Sequence, residues 1–477
     1  MLLPMLLSIT PTPSADPGVP VADAASRGVE RPWTLMVYGA ADNNADGPIL
    51  SFLEDVRKAL DDDPGMEIVL FIDRSEGFSA DASLLGEDFT GARIYRLRKD
   101  SAERLAGGEE FPEITLEGEY EPDSADAENL RKFLAFGKRR FPAQRYGLMI
   151  YSHANGIDMC PDEESGRSMG IAEVTDEVTE AESVDFLALE LCNMAGIEIA
   201  YQWRPGNGGF SADVLVAIPN AGPPLDWHRA FARIRSEGHT STAARPHLDP
   251  AAMTALDFGR LVIEEGERGR LEYARAHSDE AERVAYESAS VLDLTAAEDV
   301  KRATDALAVA LARSDSKEVF EELRGPGPQG MVLNYVQGEL GEQPFVDLYA
   351  LADRAASCES LGEEPRASAR TLAAAVDALV VDSFGMDGLA GFEPGKSGVF
   401  VVFPDGDRTY TSFLGQRPAW ERCRWYSPLD GDDVHYRRWA WCADGARPGN
   451  GVVENWFELL DAWFDAGEGP GCNGYTW

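Results

Sequence analysis

Two residues, His153 and Cys192, stand out because each follows a short apolar run. His153 follows residues 145–152 (RYGLMIYS), and Cys192 lies in the segment 184–194 (VDFLALELCNM). Runs of this length and composition are typical of buried strands. A histidine and a cysteine together predict a thiol hydrolase, in which the imidazole activates the sulfur and later protonates the leaving amine.

The elements around the two residues must bring them together. Residues 196–203 (GIEIAYQW) have apolar residues at helical spacing, so Cys192 is predicted where a strand passes into a helix. Amides at a helix start stabilise a thiolate and bind an oxyanion. If the two strands are parallel neighbours, imidazole and thiol emerge at one sheet edge. The alternative is a buried structural cysteine and a hydrogen-bonded turn histidine.

Six segments in chain order carry a resemblance to a known family. They are 33–44 (WTLMVYGAADNN), 153–156 (HANG), 192–194 (CNM), 212–227 (ADVLVAIPNAGPPLDW), 345–350 (FVDLYA) and 397–404 (SGVFVVFP). This ordered set resembles the clostripain-type cysteine peptidases, family C11, of the caspase-like clan. The resemblance implies an α/β fold with a mostly parallel caspase-like sheet flanked by helices. It also implies a cysteine endopeptidase with a His153/Cys192 dyad that cleaves polypeptides after Arg or Lys.

The resemblance also implies roles for the residues near the dyad. The backbone amides of Ala154 and Cys192 would hold the oxyanion. Glu190 occupies the position of the family's pocket Asp and, two residues before Cys192, shares its face by strand alternation. Asn220 would assist as a neutral second acceptor for a basic substrate side chain. Departures from the family pattern are Ala154 in place of Gly, Glu190 in place of Asp, and residues 218–220 (IPN) in place of a Ser-Glu type segment.

The segment between His153 and Cys192 contains eleven carboxylates and a single basic residue, Arg167. Relatives are activated by cleavage at a basic residue in this loop, which predicts self-cleavage after Arg167. The alternative is that Arg167 is a counter-charge that holds the loop down. The composition predicts a mostly solvated loop with a short hairpin around residues 168–174.

Composition limits the partners of the chain. With 43 Lys plus Arg against 83 Asp plus Glu, the net charge is −40, so binding to nucleic acid would add repulsion instead of releasing counterions. The electrostatic field of this negative charge attracts basic substrates, although a requirement for solubility explains the negative charge equally well. No run reaches the roughly 20 apolar residues of a membrane span.

The start, MLLPMLLSIT, followed by a Pro-, Ala- and Ser-rich stretch, resembles an export signal without its basic region and predicts a secreted, periplasmic or cell-surface protein.

The sequence contains few signs of a metal site or of disulfide bonds. The six cysteines form no CxxC pair, so a structural zinc site has no support. Cys423 with Cys442 is the pair that we expect as a disulfide in an exported protein. The Asp-Gly-Asp turns at residues 405–407 and 430–433 match no EF-hand spacing, and the sequence predicts no cofactor and gives no support for Ca²⁺.

Three regions are predicted: an export segment and linker (1–30), a caspase-like catalytic domain (31–230), and a helical C-terminal region with a returning strand and a Trp-rich end (231–477). The predicted strands are 33–40, 66–73, 93–98 (an edge), 145–152, 186–192, 212–218 and 398–404. The predicted helices are 48–60, 124–140, 196–203, 250–268, 295–313, 346–356 and 368–383. Residues 42–44 (DNN) are interpreted as a turn. A catalytically silent homologue that binds peptides or cell-surface partners is the rival function, and an esterase is disfavoured because no G-x-S-x-G elbow occurs.

Overall fold

The strands predicted around the His/Cys pair belong to one large sheet. The computed structural model of the protein describes residues 30–156, 158–236, 246–278, 281, 284–324, 332–335, 345–403, 409–412, 415–418, 435–464 and 475–476. Within these ranges the strands are β1 (Arg31–Ala41), β2 (Met66–Arg74), β3 (Gly91–Arg98), β4 (Ser101–Leu105), β5 (Ala143–Tyr151), β6 (Asp158–Asp162), β7 (Arg167–Gly170), β8 (Val184–Glu190), β9 (Ala212–Ala217), β10 (Ser288–Asp293), β11 (Phe345–Asp347), β12 (Val380–Gly385), β13 (Phe400–Val402), β14 (Thr409–Ser412) and β15 (Gly415–Pro418).

Helices connect and cover these strands. In the same ranges they are α1 (Asp46–Ala59), α2 (Ala127–Arg140), α3 (Ile171–Glu177), α4 (Ile197–Gln202), α5 (Trp227–Phe231), α6 (Ala255–Ala276), α7 (Ala297–Arg313), α8 (Lys317–Arg324), α9 (Leu348–Ser357), α10 (Glu363–Leu379), α11 (His435–Arg438), α12 (Ala440–Ala443) and α13 (Trp456–Phe464).

The sheet has nine strands in the order β12-β10-β9-β8-β5-β1-β2-β3-β4. Its centre, from β9 to β2, is parallel, and both flanks are antiparallel. The central strands are apolar on both faces, as expected when helices cover both sides. Because the carboxyl ends of parallel strands meet at one edge, the loops after β9, β8, β5 and β1 are neighbours.

Two apolar cores hold the sheet between its helices. On one face, Ile49 and Leu53 of α1 and Phe258 of α6 pack with the side chains of the sheet. On the other face, Leu130 of α2 and Leu307 of α7 do the same. Each of these side chains is at most 1 % exposed. The amphipathic pattern of the helices is therefore used to enclose the sheet on both sides.

Several predicted elements need correction. The strand predicted as an edge is β3, but β4 pairs outside it. The hairpin between His153 and Cys192 is β6–β7, followed by α3, so this segment is more ordered than the predicted solvated loop. The predicted returning strand, β13, pairs with β11 and not with the main sheet. The strands β10 and β12, which the sequence did not indicate, extend that sheet instead.

The tryptophans of the C-terminal end pack inside the protein where the structure describes them. Trp441 lies edge-on to Tyr201 of α4, and Trp456 packs against Phe403 and Phe320. Trp441 and Trp456 are both fully buried. An aromatic core, the interpretation favoured over a ligand surface, is confirmed for these residues.

Candidate active site

His153 and Cys192 follow neighbouring strands. β5 and β8 are parallel, with Tyr151 opposite Glu190 as the last pair of their register. His153 and Cys192 each lie two residues beyond that pair, at the same edge of the sheet. The expectation that their strands are parallel neighbours is confirmed.

The loop after β5 packs against the turn after Cys192. Gly156 has φ +90°, and a Cβ atom added there would lie 3.1 Å from the Asn193 carbonyl oxygen and 2.8 Å from the Phe345 ring. Asn193 itself has φ 60° in the left-handed region, which Asn tolerates better than most residues. Two unusual backbone conformations thus bring the His loop and the Cys turn into contact.

Cys192 lies in a turn and not at a helix start. The helix α4 begins only at Ile197, and the N–H groups of Asn193 and Met194 donate to the carbonyls of Asn220 (3.0 Å) and Ile218 (2.9 Å). The prediction that helix-start amides stabilise the Cys192 thiolate is therefore wrong for the N–H groups of Asn193 and Met194. Both already donate to carbonyls of the loop after β9. Burial raises the pKa of the half-buried Cys192 thiol, and a hydrogen bond from the Gly222 backbone opposes that rise in pKa.

His153 is hydrogen-bonded to a residue from a third strand end. Its Nε2 lies 2.6 Å from Oδ1 of Asn44, which follows β1. An amide oxygen is only an acceptor, so Nε2 carries the proton and Nδ1 is the unprotonated nitrogen of the neutral ring. His153 is partly exposed, and the loss of water around the rest of its ring lowers its pKa from the usual value of about 6.5, which favours the neutral ring at neutral pH. A neutral imidazole can accept the thiol proton.

Ala154 forms an isolated antiparallel bridge with Met159. The bridge bonds run through the flanking residues, from Asn155 N–H to Asp158 (3.1 Å) and from Cys160 N–H to His153 (3.0 Å). Ala154 therefore occupies a non-hydrogen-bonded position of the bridge, and its N–H points away from Met159. This amide remains one that can bind an oxyanion.

Glu190 is buried, and both of its oxygens are used. Oε2 accepts from the Leu225 N–H (2.9 Å) and Oε1 from the Trp227 indole N–H (2.6 Å). Burial raises the pKa of Glu190, while these two bonds and the charge of Arg270 lower that pKa. Tyr151 shares the face of Glu190 because the two residues are register partners on β5 and β8. Burial, and then the charges of Glu190 and Cys192, raise the pKa of the Tyr151 phenol.

Asn220 fastens the loop after β9 to the sheet. Its Oδ1 accepts from the backbone N–H (3.2 Å) and the hydroxyl (2.8 Å) of Ser288 on β10, and its backbone carbonyl accepts from Asn193. Both lone pairs of the side-chain oxygen are thus engaged. Asn220 begins the loop of residues 220–227, and Glu190 of β8 accepts hydrogen bonds from the other end of this loop. The Gly222 backbone, within the loop, contacts Cys192.

Arg270 of α6 holds that loop from behind. Its Nη2 donates to the carbonyls of Pro223 (3.1 Å) and Pro224 (2.7 Å), and its Nη1 pairs with Asp226 at 3.0 Å. Its Nε pairs with Glu287. Arg270 is 7 % exposed, so the guanidinium is a buried clamp on the loop. No local sequence pattern around Arg270 pointed to this role.

Arg167 begins β7 within the β6–β7 hairpin. Its side chain is 49 % exposed and pairs with Asp123 at 2.6 Å and Glu173 at 3.2 Å. Both ion pairs fit the alternative that Arg167 is a counter-charge. The exposed position at the end of the hairpin fits the cleavage site.

Other expectations concern metals, membranes and disulfides. Over the described ranges, no three His, Cys, Asp or Glu side chains converge to hold a metal ion. No helix in the same part of the chain is both long and apolar enough to cross a membrane. Residues 1–29, with the predicted export segment, and Cys423 of the predicted disulfide lie outside the described residues.

Comparisons with known proteins assign the chain to a family. The model of the clostripain family matches residues 37–463. The chain belongs to the clostripain family. Over 493 residues it is 34 % identical to clostripain of Hathewaya histolytica, covering 96 % of this chain and 92 % of that protein. As a member of this family, it is a cysteine endopeptidase.

A solved structure supports the fold of this clostripain-family chain. The X-ray structure of a secreted C11 cysteine protease from Bacteroides thetaiotaomicron, in complex with an irreversible peptide inhibitor, gives a TM-score of 0.53 at 16 % identity. The match covers 87 % of this chain and 99 % of that chain. The predicted caspase-like α/β fold is confirmed.

Proposed function

We propose that Cys192 is the nucleophile and His153 the general acid and base of this endopeptidase. The observation that carries the proposal is the strand register, in which Tyr151 and Glu190 are paired and the two reactive residues follow at equal distance. Neighbouring strands lie about 4.8 Å apart, which is within reach of an imidazole and a thiol. The neutral His153 ring fits the role of a base.

The reaction then proceeds by two acyl transfers. Nδ1 of His153 takes the thiol proton, and the Cys192 sulfur forms a bond to the scissile carbonyl carbon. The C–N bond breaks as the imidazolium returns its proton to the leaving amine. Water attacks the thioester and gives its proton to His153, and the C–S bond breaks as the imidazolium returns that proton to the sulfur, which restores the thiol and the neutral imidazole. These steps use protein groups and water, and turnover after treatment with EDTA tests the expectation that no cofactor is needed.

The oxyanion is held by the backbone amides of Ala154 and Cys192. The non-hydrogen-bonded position of Ala154 in its bridge with Met159 supports this assignment. The Asn193 and Met194 amides are unsuitable because they already donate to the loop after β9. Loss of one oxyanion donor costs about 10²- to 10³-fold in kcat. An Ala154→Pro change removes the N–H and tests this role.

A basic substrate side chain is recognised by Glu190. Its carboxylate keeps unused lone pairs beside those that Leu225 and Trp227 occupy, and the net charge of −40 attracts cationic peptides. Asn220 remains part of the proposed pocket, as the residue that fixes its loop onto β10. Glu190→Gln should raise KM for Arg and Lys substrates selectively. An unchanged Arg/Lys preference in a stably folded Glu190→Gln protein would remove this assignment.

The dyad is tested with small substrates that end in Arg, Lys, Ala or Asp. Cys192→Ala should abolish turnover, and His153→Ala should lower it by about 10²- to 10⁴-fold. Cys358→Ala and His277→Ala are matched controls, since one is a half-buried cysteine and the other an exposed histidine outside the site. Full activity of Cys192→Ala would refute the dyad. Folded protein without turnover on all four substrates would favour a peptide-binding function.

Self-cleavage after Arg167 is the second part of the proposal. The bond to Ser168 lies at the exposed start of β7, and it must leave the hairpin to enter a cleft as an extended strand. Wild-type protein should resolve into two pieces on a denaturing gel, with Ser168 as the new N-terminus. Cys192→Ala and Arg167→Ala should both stay intact, whereas Arg131→Ala, a surface control, should be processed. An active enzyme that stays a single chain would refute self-cleavage and leave the dyad untouched.

Export is the third part. The apolar start of the chain, MLLPMLLSIT, supports secretion. Expression in a bacterial host should deliver the protein to the periplasm or medium with a new N-terminus before the catalytic domain. Retention of the unprocessed chain in the cytosol would refute it.

A further inference from the structure

Asn44 joins the candidate site from a third strand. Its residue follows β1, which lies beside β5 in the sheet, so Cys192, His153 and Asn44 follow three neighbouring parallel strands in that order. The 2.6 Å contact between Asn44 Oδ1 and His153 Nε2 joins residues that are 109 positions apart in the chain. A contact this distant in sequence depends on the fold and is not local turn chemistry.

The turn that carries Asn44 is held in place by its neighbour, Asn43. The Asn43 side-chain amide donates to the carbonyls of Ala40 (3.2 Å) and Pro161 (2.7 Å) and lies 3.3 Å from the Ser152 hydroxyl. Its oxygen accepts from the N–H of Ala45 at 2.9 Å. Asn43 is 3 % exposed, so this network is shielded from water. Asn43 thus stabilises the turn, and the side chain of Asn44 contacts the His153 imidazole.

A second bond ties the turn to the strand that precedes His153. The Ser152 hydroxyl donates to the Ala40 carbonyl at 2.6 Å. The ends of β1 and β5 are therefore joined directly beside the Asn44–His153 contact. This arrangement holds the turn that carries Asn44 in place before substrate binds, which is what orientation of a catalytic base requires.

We propose that Asn44 is a positioning residue that holds the His153 ring and keeps the proton on Nε2, leaving Nδ1 to serve the Cys192 thiol. This inference rests on the proposed dyad. The bond also strengthens when His153 becomes an imidazolium, because a charged donor binds the same oxygen more tightly. Asn44 thus favours the ion pair that forms as the thiol loses its proton. Asn44 touches neither bond that the reaction makes or breaks.

The test compares Asn44→Ala and Asn44→Asp in the full-length enzyme, with Asn450→Ala as the matched control on the surface. Asn44→Ala should lower kcat about 10- to 100-fold, the worth of a hydrogen bond to a charged group, with little change in KM. The melting temperature should stay that of the wild type, because Asn43 maintains the turn. Asn450→Ala should retain wild-type turnover.

The pH profile separates positioning from a structural role. The acid limb of the pH profile of kcat/KM reports the pKa of the base in the free enzyme, so a changed hydrogen bond to the His153 ring should move this limb. Asn44→Ala should move this limb to lower pH and Asn44→Asp to higher pH, since a carboxylate favours the imidazolium. Wild-type kcat in Asn44→Ala, or a limb that moves the same way in both variants, would overturn the inference.

The His153→Ala variant distinguishes the two failures. If His153→Ala loses activity but Asn44→Ala does not, the positioning role is wrong and the dyad stands. If His153→Ala keeps full activity, the proposed dyad is wrong and the role of Asn44 falls with it. A loss of activity in Asn44→Ala that follows a loss of melting temperature would also overturn the inference, since it would mark Asn44 as structural.

Discussion

Replacing Arg270 by Met should destabilise the protein and slacken the loop of residues 220–227. The Met side chain fills much of the space of the arginine stem. The change therefore removes the charge and the hydrogen-bond donors of Arg270 and leaves only a small cavity. It leaves the buried Glu287 carboxylate without its partner and frees the carbonyls of Pro223 and Pro224. Breaking a buried ion pair from one side costs about 3–5 kcal/mol. We expect a loss of that size in the free energy of unfolding.

The loss should depend on pH in a defined direction. Burial raises the pKa of Glu287, and the charge and hydrogen bond of Arg270 oppose that rise in pKa. Without Arg270 the pKa of Glu287 in the folded protein rises further. Glu287 therefore keeps its proton to a higher pH in the folded variant than in the folded wild type. The penalty should therefore be complete above this raised pKa and shrink as pH falls toward the unfolded value of about 4.3.

Urea unfolding at pH 8 and pH 5 measures both effects, with turnover recorded on an Arg substrate. Arg275→Met, an exposed change on the same helix, is the control and should cost less than about 0.5 kcal/mol. The pair Arg270→Met and Glu287→Gln should be non-additive by at least about 1 kcal/mol. A loss under about 1 kcal/mol, or one that is equal at both pH values, would refute the clamp.

Three further outcomes follow from single residues. Gly156→Ala should cost about 1–3 kcal/mol and lower kcat, because Gly156 has φ +90° beside Asn193; unchanged unfolding and turnover would contradict this. The pKa of Glu198 is raised to about 7 by burial, so the contribution of Glu198 to wild-type stability should fall as pH rises from about 4.5 to 7. Glu198→Gln should be more stable than wild type at pH 8 by up to about 3 kcal/mol and equal to it at pH 4, and equal stability at both would oppose the argument. Trp227→Phe removes a donor from Glu190 and should cost about 1–3 kcal/mol in urea unfolding; a fully stable variant would mean that the bond contributes nothing.

The elements that sequence reasoning found are those with strong local patterns. β1, β2, β5, β8 and β9 are apolar on both faces, and their bounds differ from the predicted ones by a few residues at most. The missed strands lack that pattern. β4 reads SAERL and lies at the sheet edge, where one side needs no apolar partner. β12 directly follows α10, so its residues continued the predicted helix.

The sequence by itself determined the family, the fold and the two strand-end residues His153 and Cys192. The family and the fold follow from the resemblance of six ordered segments to the clostripain-type peptidases, and the two residues follow from their types and their positions after apolar runs. Only the tertiary structure decided the partners of those residues. Asn44 is hydrogen-bonded to His153, which lies 109 residues further along the chain. Leu225 and Trp227 donate hydrogen bonds to Glu190 from 35 and 37 residues away in the sequence. Such contacts arise from the order of strands in the sheet, which is set by packing of the whole chain and leaves no local pattern to detect.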